Sequence, residues 1–429
     1  MNAHMRRGAC PALSAPMQTG DGLLVRFNLA EGGISPDELR TLCALAERHG
    51  NGIVEVTARG SFQIRGLTPQ TAPLLSADVA ALELDLRAGV PVETSPLAGL
   101  DPDGIADPLP LVREIRAAAD ADGLAARLAP KISVVVDGGG NTDFSEILAD
   151  VRLTAMRHDG GVRWRLAIGG DARTARPVAV LDEGDAAAAV VAALEAVAAL
   201  GCAARGRDMA GETLEALLSL FTGRGCRQAG EGQRASSSVA LPLIRPFGAP
   251  SPRERGEGSG DALPLTDGRF AVTAGLPFGS IHAGELTAFL NAIGADEVRL
   301  APQRSLILIC RTEDAASAAG ETARAHDFIV DPADPRRAIA ACPGAPACAT
   351  GRIATRDIAR RLAAAGPLPG RVHVSGCPKG CAHPTPADFA IVGADEGMAL
   401  IRSGRASDTP FAIVSSADDA LSALQEKAA

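Results

Sequence analysis

One strand–helix–strand–strand pattern occurs twice in this 429-residue chain, and that repeat limits the fold more than any other feature. Residues 25–64 read VRFNLAEGGISPDELRTLCALAERHGNGIVEVTARGSFQI, and residues 272–308 read VTAGLPFGSIHAGELTAFLNAIGADEVRLAPQRSLIL. Ile34, Glu38, Leu39 and Leu42 align with Ile281, Glu285, Leu286 and Phe289 at an offset of 247. After a three-residue gap, Val54, Val56, Ser61 and Ile64 align with Val298, Leu300, Ser305 and Leu308 at an offset of 244. Each copy predicts strand, loop, amphipathic helix, strand, turn and strand. In the first copy Leu39, Leu42, Leu45 and Ala46 keep the three-and-four spacing of one buried helix face. A duplication of this kind predicts two halves related by a pseudo-twofold, with a site where they meet.

Composition shifts divide the rest. Residues 1–16 read as a disordered start. Residues 17–68 are expected to form the first module and 69–228 a first mixed α/β domain. Residues 229–262, rich in Gly, Ser, Pro and charge, read as a linker or long loop. Residues 263–318 form the second module, and 319–429 a second mixed domain. Strands and helices alternate without a strict βαβ order, so the fold class is α+β. Helices are expected at 111–128 and 352–365, and strands at 131–136, 151–156, 162–168, 371–374 and 388–392. With 46% apolar and 22% charged residues, the chain is neither disordered nor fibrous. Its most apolar stretch, residues 186–200, is too short to span a bilayer and contains Glu195. No secretory signal is visible, which makes the cytoplasm the expected location. A net charge of −9 argues against a nucleic-acid partner.

Nine cysteines without a signal peptide do not suggest a disulfide framework. Four of them, Cys342, Cys348, Cys377 and Cys381, fall in the spacing C-x₅-C, 28 residues, C-x₃-C. Four thiolates on two loops can hold a 4Fe-4S cubane, one per iron. Pro343, Pro346 and Pro378 stiffen the loops, and Gly344, Gly376 and Gly380 let backbone N–H groups approach the sulfurs. Cys348 precedes the expected helix at 352, whose dipole would favour a thiolate. A structural zinc site and a coincidence of buried thiols are the alternatives, although x₅ is wide for a zinc knuckle. Cys43 and Cys310 read as core thiols.

With the duplicated module ending in Thr57-Ala-Arg59-Gly-Ser-Phe-Gln63, the cysteine spacing resembles the sulfite and nitrite reductase superfamily over residues 20–400 or so. The resemblance implies an internally duplicated fold of two ferredoxin-like modules and two larger mixed domains, and a 4Fe-4S cluster on the four cysteines, with Cys381 in the place that bridges to siroheme. The run VSGCPKGCAHP, residues 374–384, is similar to the precorrin-3B synthase branch, where the reductases have Asn in place of Lys379. Residues 95–99 (SPLAG) and Lys131 followed by a strand and Asp137-Gly-Gly139 resemble that branch too. Siroheme reductases place four basic residues around their substrate anion. Arg59 matches the first and Lys131 the third, but Ser133 stands at the fourth and residues 90–94 supply no second. A site lacking those charges loses much of the field that binds an oxyanion. The branch resemblance implies a monooxygenase that hydroxylates precorrin-3A at C-20 with O2 and two electrons and forms a γ-lactone, in aerobic cobalamin biosynthesis. It further implies a mononuclear non-haem iron, whose ligands the sequence does not reveal. Siroheme belongs to the alternative reading, a sulfite or nitrite reductase. A non-catalytic tetrapyrrole-binding protein with a structural cluster is the third reading.

Arg59, Arg65, Arg304 and Lys131 are the candidates to bind the carboxylates of a tetrapyrrole. Arg65 and Arg304 read equally well as solvated strand-end charges. Lys379, between two cluster cysteines, is placed to offset cluster charge, and with His383 it is a candidate for catalytic proton handling. No nucleotide-binding fingerprint is present, so electrons are expected from a separate reductase using NAD(P)H. The glycine run at 138–140 reads as a turn.

Overall fold

In the computed structural model, residues 11–142, 144–222, 262–366, 368 and 370–425 are described. Residues 229–261 of the expected linker (229–262) and residues 1–10 of the expected disordered start lie outside these. The first module runs β1 (Met17–Thr19), β2 (Gly22–Phe27), α1 (Pro36–His49), β3 (Ile53–Val56), β4 (Phe62–Leu67) and α2 (Thr71–Ala80). Helix α1 begins where its sequence dictates. The Ser35 hydroxyl accepts the Glu38 N–H at 3.2 Å, and the Glu38 carboxylate accepts the Ser35 N–H at 2.7 Å. Its buried face is Leu39, Leu42, Cys43, Leu45 and Ala46. Leu75 and Val79 of α2 join the same core, so the contiguous fold runs past residue 68 to Arg87.

Next come β5 (Val92–Glu93), α3 (Leu109–Ala121), α4 (Leu124–Arg127), β6 (Val134–Asp137), β7 (Ala149–His158), β8 (Gly161–Gly170), β9 (Arg176–Leu181), α5 (Glu183–Ala199) and α6 (Gly211–Thr222). The helix expected at 111–128 is broken at Gly123, whose φ of 61° no L-residue adopts cheaply. The strand expected from Lys131 starts at Val134. The second module is β10 (Leu263–Pro264), β11 (Phe270–Gly275), β12 (Ser280–His282), α7 (Ala283–Ala292), β13 (Glu297–Ala301), β14 (Ser305–Cys310) and α8 (Glu313–Ala325). Helix α8 packs its alanine face into the module core, carrying it past residue 318. The last part is β15 (Ile339–Ala341), α9 (Thr355–Ala364), β16 (Val372–Ser375), β17 (Ala387–Ala394), β18 (Gly397–Gly404), β19 (Ala412–Val414) and α10 (Ala417–Gln425).

The chain divides into two units, residues 88–259 with 265–267 and the remainder. Both modules and the cysteine-bearing domain therefore fall in one unit. Within it the modules show the pseudo-twofold directly. Ile34 bridges Val298, and its repeat counterpart Ile281 pairs with Val54, the counterpart of Val298. Arg59 bridges Pro302, and the Gln303 N–H donates to the Ala58 carbonyl at 3.0 Å. Strand β12 of the second copy thereby completes the first copy's sheet, in the order β1-β2-β4-β3-β12. Leu39 and Leu42 share one core with Leu286 and Phe289. At about 1.5–3 kcal/mol per fully buried large apolar side chain, that shared core makes the two modules one folding unit.

The duplication extends beyond the modules. The sheet of residues 88–259 has the order β5-β6-β7-β8-β9, and the last sheet the order β15-β16-β17-β18-β19. In each, the first three strands are parallel and the last two antiparallel. In each, a helix lies between the first two strands in the chain and another follows the last. The fold is α+β and internally duplicated.

Candidate metal-cluster site

Cys342 directly follows β15, and Cys377 lies two residues after β16, at the carboxyl ends of neighbouring parallel strands. The Ala341–Val374 pairing sets the two loops side by side, and the Cys342 N–H reaches the Val374 carbonyl at 3.3 Å. Such strand ends are where open α/β sheets gather ligands. The Gly376 N–H donates to Cys342 Sγ at 3.2 Å. The Thr350 hydroxyl lies 3.4 Å from Cys348 Sγ and 3.6 Å from Cys377 Sγ, between the two loops. Burial raises the Cys381 thiol, the Lys379 ammonium draws it down, and the other three cysteines push it up again. The loops come this close because a glycine seam lets them. A Cβ on Gly376 would stand 3.0 Å from Gly351 Cα and 3.2 Å from Gly344 Cα.

This donor set fits a cluster: four thiolates on two loops, with the Gly376 N–H directed at the Cys342 sulfur and the Thr350 hydroxyl beside those of Cys348 and Cys377. Among the described residues no three His, Cys, Asp or Glu are placed around a single ion. The zinc alternative, which needs four ligands converging on one point, gains no support from this geometry. The mononuclear iron implied by the resemblance likewise finds no ligand set among the described residues. The helix expected to begin at 352 begins at Thr355, so Cys348 lies in a turn rather than at a helix start. The first turn of α9 instead reaches the other cysteine, with the Thr355 hydroxyl donating to the Cys342 carbonyl.

The remaining candidates separate by position. Lys379 is exposed. His383 Nε2 lies 3.0 Å from the Thr385 hydroxyl and 3.3 Å from the Pro386 carbonyl, and its ring stands edge-on to His373 at 5.8 Å. Arg304 donates to the Ala382 carbonyl at 3.3 Å, beside Cys381. Burial, then repulsion from Arg356 and Arg371, draws its guanidinium down to about 10, so it stays charged at neutral pH. Arg59 is half-buried on the β3–β4 turn. Lys131 is exposed and belongs to the other unit. Arg65 is 2% exposed and not a solvated strand-end charge. Its guanidinium donates to Asp21 at 2.9 and 2.8 Å, to Glu55 at 3.3 Å and to the Ala347 carbonyl at 2.9 Å. Cys43 and Cys310 are core thiols, pushed by burial up to about 12 and about 11.

Three residues near the cysteines carried no sequence signal. Thr350 and Arg356 lie in loop and helix stretches of ordinary composition. His373 is fully buried on β16, and neither ring nitrogen has a hydrogen-bond partner among the described residues. Burial, with His383 and Arg304 nearby, pulls it down to about 4 and keeps it neutral.

Comparison with known proteins agrees with this architecture. Residues 15–82 match the nitrite/sulfite reductase ferredoxin-like half domain, and residues 333–426 match the nitrite and sulphite reductase 4Fe-4S domain. The structure of Mycobacterium tuberculosis NirA protein superposes with a TM-score of 0.68, covering 92% of this chain and 78% of that one at 19% identity, a likeness of fold. A ferredoxin–nitrite reductase of Leptolyngbya laminosa is 23% identical over 91% of this chain and 81% of its own. Precorrin-3B synthase of a Sinorhizobium species is 38% identical over 96% of this chain and 86% of its own. An identity of that size over nearly the whole length, on a duplicated fold with a 4Fe-4S domain, shows that the chain belongs to the precorrin-3B synthase family within the nitrite and sulfite reductase superfamily.

Proposed function

We propose that this chain hydroxylates precorrin-3A at C-20 and closes a γ-lactone on ring A, in aerobic cobalamin biosynthesis. One oxygen atom of O2 enters the substrate and the other leaves as water, consuming two electrons and two protons. The observation that carries the reading is the 38% identity to precorrin-3B synthase across 96% of the chain. Cys342, Cys348, Cys377 and Cys381 would hold the cluster, which when bound supplies electrons one at a time. A separate reductase using NAD(P)H would feed it.

The protein's own part is binding and proton handling. Arg304 has no carboxylate within ion-pair distance among the described residues; Arg356 and Arg371 repel it, and the more distant Glu55 attracts it. A carboxylate of the substrate would compensate that charge, with Arg59 as a further partner. Lys379, which favours the thiolate of Cys381, would offset negative charge on the cluster. His383, whose Nε2 lies beside the Thr385 hydroxyl and the Pro386 carbonyl, would pass a proton.

A siroheme-dependent sulfite or nitrite reductase is the second reading, favoured by the nitrite reductase relatives. Against it stands Ser133. This residue is buried, and its hydroxyl is within 3.5 Å of the Leu148 carbonyl, so no cation occupies the position where a reductase has its fourth. The deciding experiment is a visible spectrum of protein purified without oxygen, followed by acid-acetone extraction and turnover with precorrin-3A and O2. An iron–sulfur shoulder, no extractable tetrapyrrole and O2-dependent hydroxylation are expected. Extractable siroheme with sulfite or nitrite reduction would replace this reading by the second. Replacing Cys377 by Ser should bleach the shoulder and abolish turnover, and wild-type turnover in that variant would overturn the assignment.

A further inference from the structure

The carbonyl of Ala347, the residue before Cys348, accepts two hydrogen bonds from the opposite end of the chain. Arg65 Nη2 reaches it at 2.9 Å and the Gly20 N–H at 3.2 Å. Gly20 lies in the β1–β2 turn so close to the cysteine loop that a Cβ would stand 2.6 Å from the Pro346 carbonyl, 2.7 Å from the Ala349 nitrogen and 2.9 Å from the Cys348 carbonyl carbon. Arg65 is in turn fixed by Asp21 on one side and Glu55 on the other. Glu55 also accepts from Arg356 in the first turn of α9, next to the Thr355 that holds the Cys342 carbonyl. Arg356 donates a further hydrogen bond to Ser280 at 3.0 Å.

From this chain of contacts we infer that Asp21, Arg65, Glu55 and Arg356 form a buried clamp that sets the position of the Cys342–Cys348 loop. Arg65 and Gly20 are positioning residues of the cluster, and Arg65 is not a partner of the substrate. The inference rests on the cluster reading above. Buried ion pairs contribute little net stability, because desolvation offsets their attraction, and their established use is to fix one arrangement over its competitors. Here the charges balance along the chain, carboxylates alternating with guanidiniums. Although burial opposes both charges, Arg65 holds Asp21 below the usual carboxylate range, and Glu55 and Asp21 hold Arg65 above its ordinary value. Both shifts favour the ionised pair. What the arrangement fixes is a carbonyl one residue from an iron ligand. The first module, which supplies no cysteine to the cluster, thereby decides where one corner of it sits.

Two variants of the full chain, purified without oxygen, test this. Gly20→Ala pushes a methyl into the cysteine loop while leaving every ion pair in place. Arg65→Lys keeps one positive charge between Asp21 and Glu55 but lacks the fork that also reaches Ala347. Iron and sulfide content, the electron paramagnetic resonance spectrum of the dithionite-reduced protein, its midpoint potential and the rate of iron loss to a ferrous chelator are read for each. Far-UV circular dichroism reports the fold. The expected result is native dichroism with an altered resonance line shape, a displaced potential and roughly tenfold faster iron loss. Native dichroism with the wild-type spectrum, potential and iron-loss rate in both variants would overturn the clamp. Should one variant fail to fold, the other decides alone. A wild-type protein without iron and sulfide would overturn the cluster reading itself, and the inference with it.

Discussion

Arg304 sits in a backbone conformation that arginine ordinarily avoids, with φ at +64°. Its repeat counterpart, at the offset of 244, is Gly60 at φ +75°. The turn demands a left-handed residue in both copies, and only the first copy answers with glycine. A left-handed conformation costs an L-residue about 1–2 kcal/mol, and strain of this kind is kept where a side chain is needed. Arg304→Asn, which tolerates the conformation and removes a cation repelled by Arg356 and Arg371, should therefore raise the melting temperature or leave it unchanged. It should also weaken binding of a stable octacarboxylate porphyrin by about ten- to a hundredfold, the loss expected for a hydrogen bond between charged groups. Spectroscopic titration checks this, and undiminished affinity would remove Arg304 from the substrate site. The sequence marked Arg304 and Arg65 alike, as charges at strand ends. It could not separate them, because what distinguishes Arg65 is Asp21, 44 residues earlier, and Ala347, 282 residues later. Glu55 was the one legible hint, a carboxylate inside the apolar run Ile53–Val56 where a solvated charge would be out of place.

Elements were easier to read than their neighbours in space. Where the apolar pattern is local, as in α1 with its capping box, spacing alone places the helix. Ser35→Ala should cost about 1 kcal/mol, read as a lower denaturation midpoint, and no change would mean that the cap is dispensable. The pair of cysteine loops was legible from the spacing of the four cysteines. Their counterparts in the other half were not. The loops after β5 and β6 hold the positions that Cys342 and Cys377 hold after β15 and β16, yet carry Thr94 and Ser95 in one and the glycine run 138–140 in the other. The duplicated sheet persists there while the ligands do not, so no sequence pattern links the two. Strand β16 hides a further element-scale property. His373, fully buried and held down to about 4, is neutral in the folded protein, whereas the unfolded chain takes up a proton near 6.5. The unfolded state binds more protons between these values. Stability from this residue is therefore full above pH 6.5 and is lost as pH falls toward 4, by on the order of 3 kcal/mol. Denaturation midpoints of wild type and His373→Phe, compared from pH 7 to 4, should converge or cross as the wild type loses ground. A constant difference would mean that His373 titrates normally.

At the scale of the whole molecule, the two units carry separate cores and, by chance of composition, separate optical probes. The chain has one tryptophan and no tyrosine. Trp164 lies fully buried on β8, in the core built from the sheet of β5 to β9 and helices α3 and α5. The four cysteines belong to the other unit, whose cores come from the paired modules and from the sheet of β15 to β19. The position of the tryptophan emission maximum thus follows one unit, and visible absorbance of the bound cluster follows the other. Metal binding stabilises only the state that forms the site, so the cluster adds to the stability of its own unit alone. Urea unfolding of the anaerobically purified protein should give two transitions that do not coincide, with bleaching at a different midpoint from the red shift of Trp164 emission. Cys377→Ser, which prevents the cluster from forming, should lower the unfolding of the module unit followed by far-UV dichroism and leave the Trp164 midpoint in place. A single transition common to both probes, shifted as one by the Cys377 variant, would show that the two units unfold as one cooperative body.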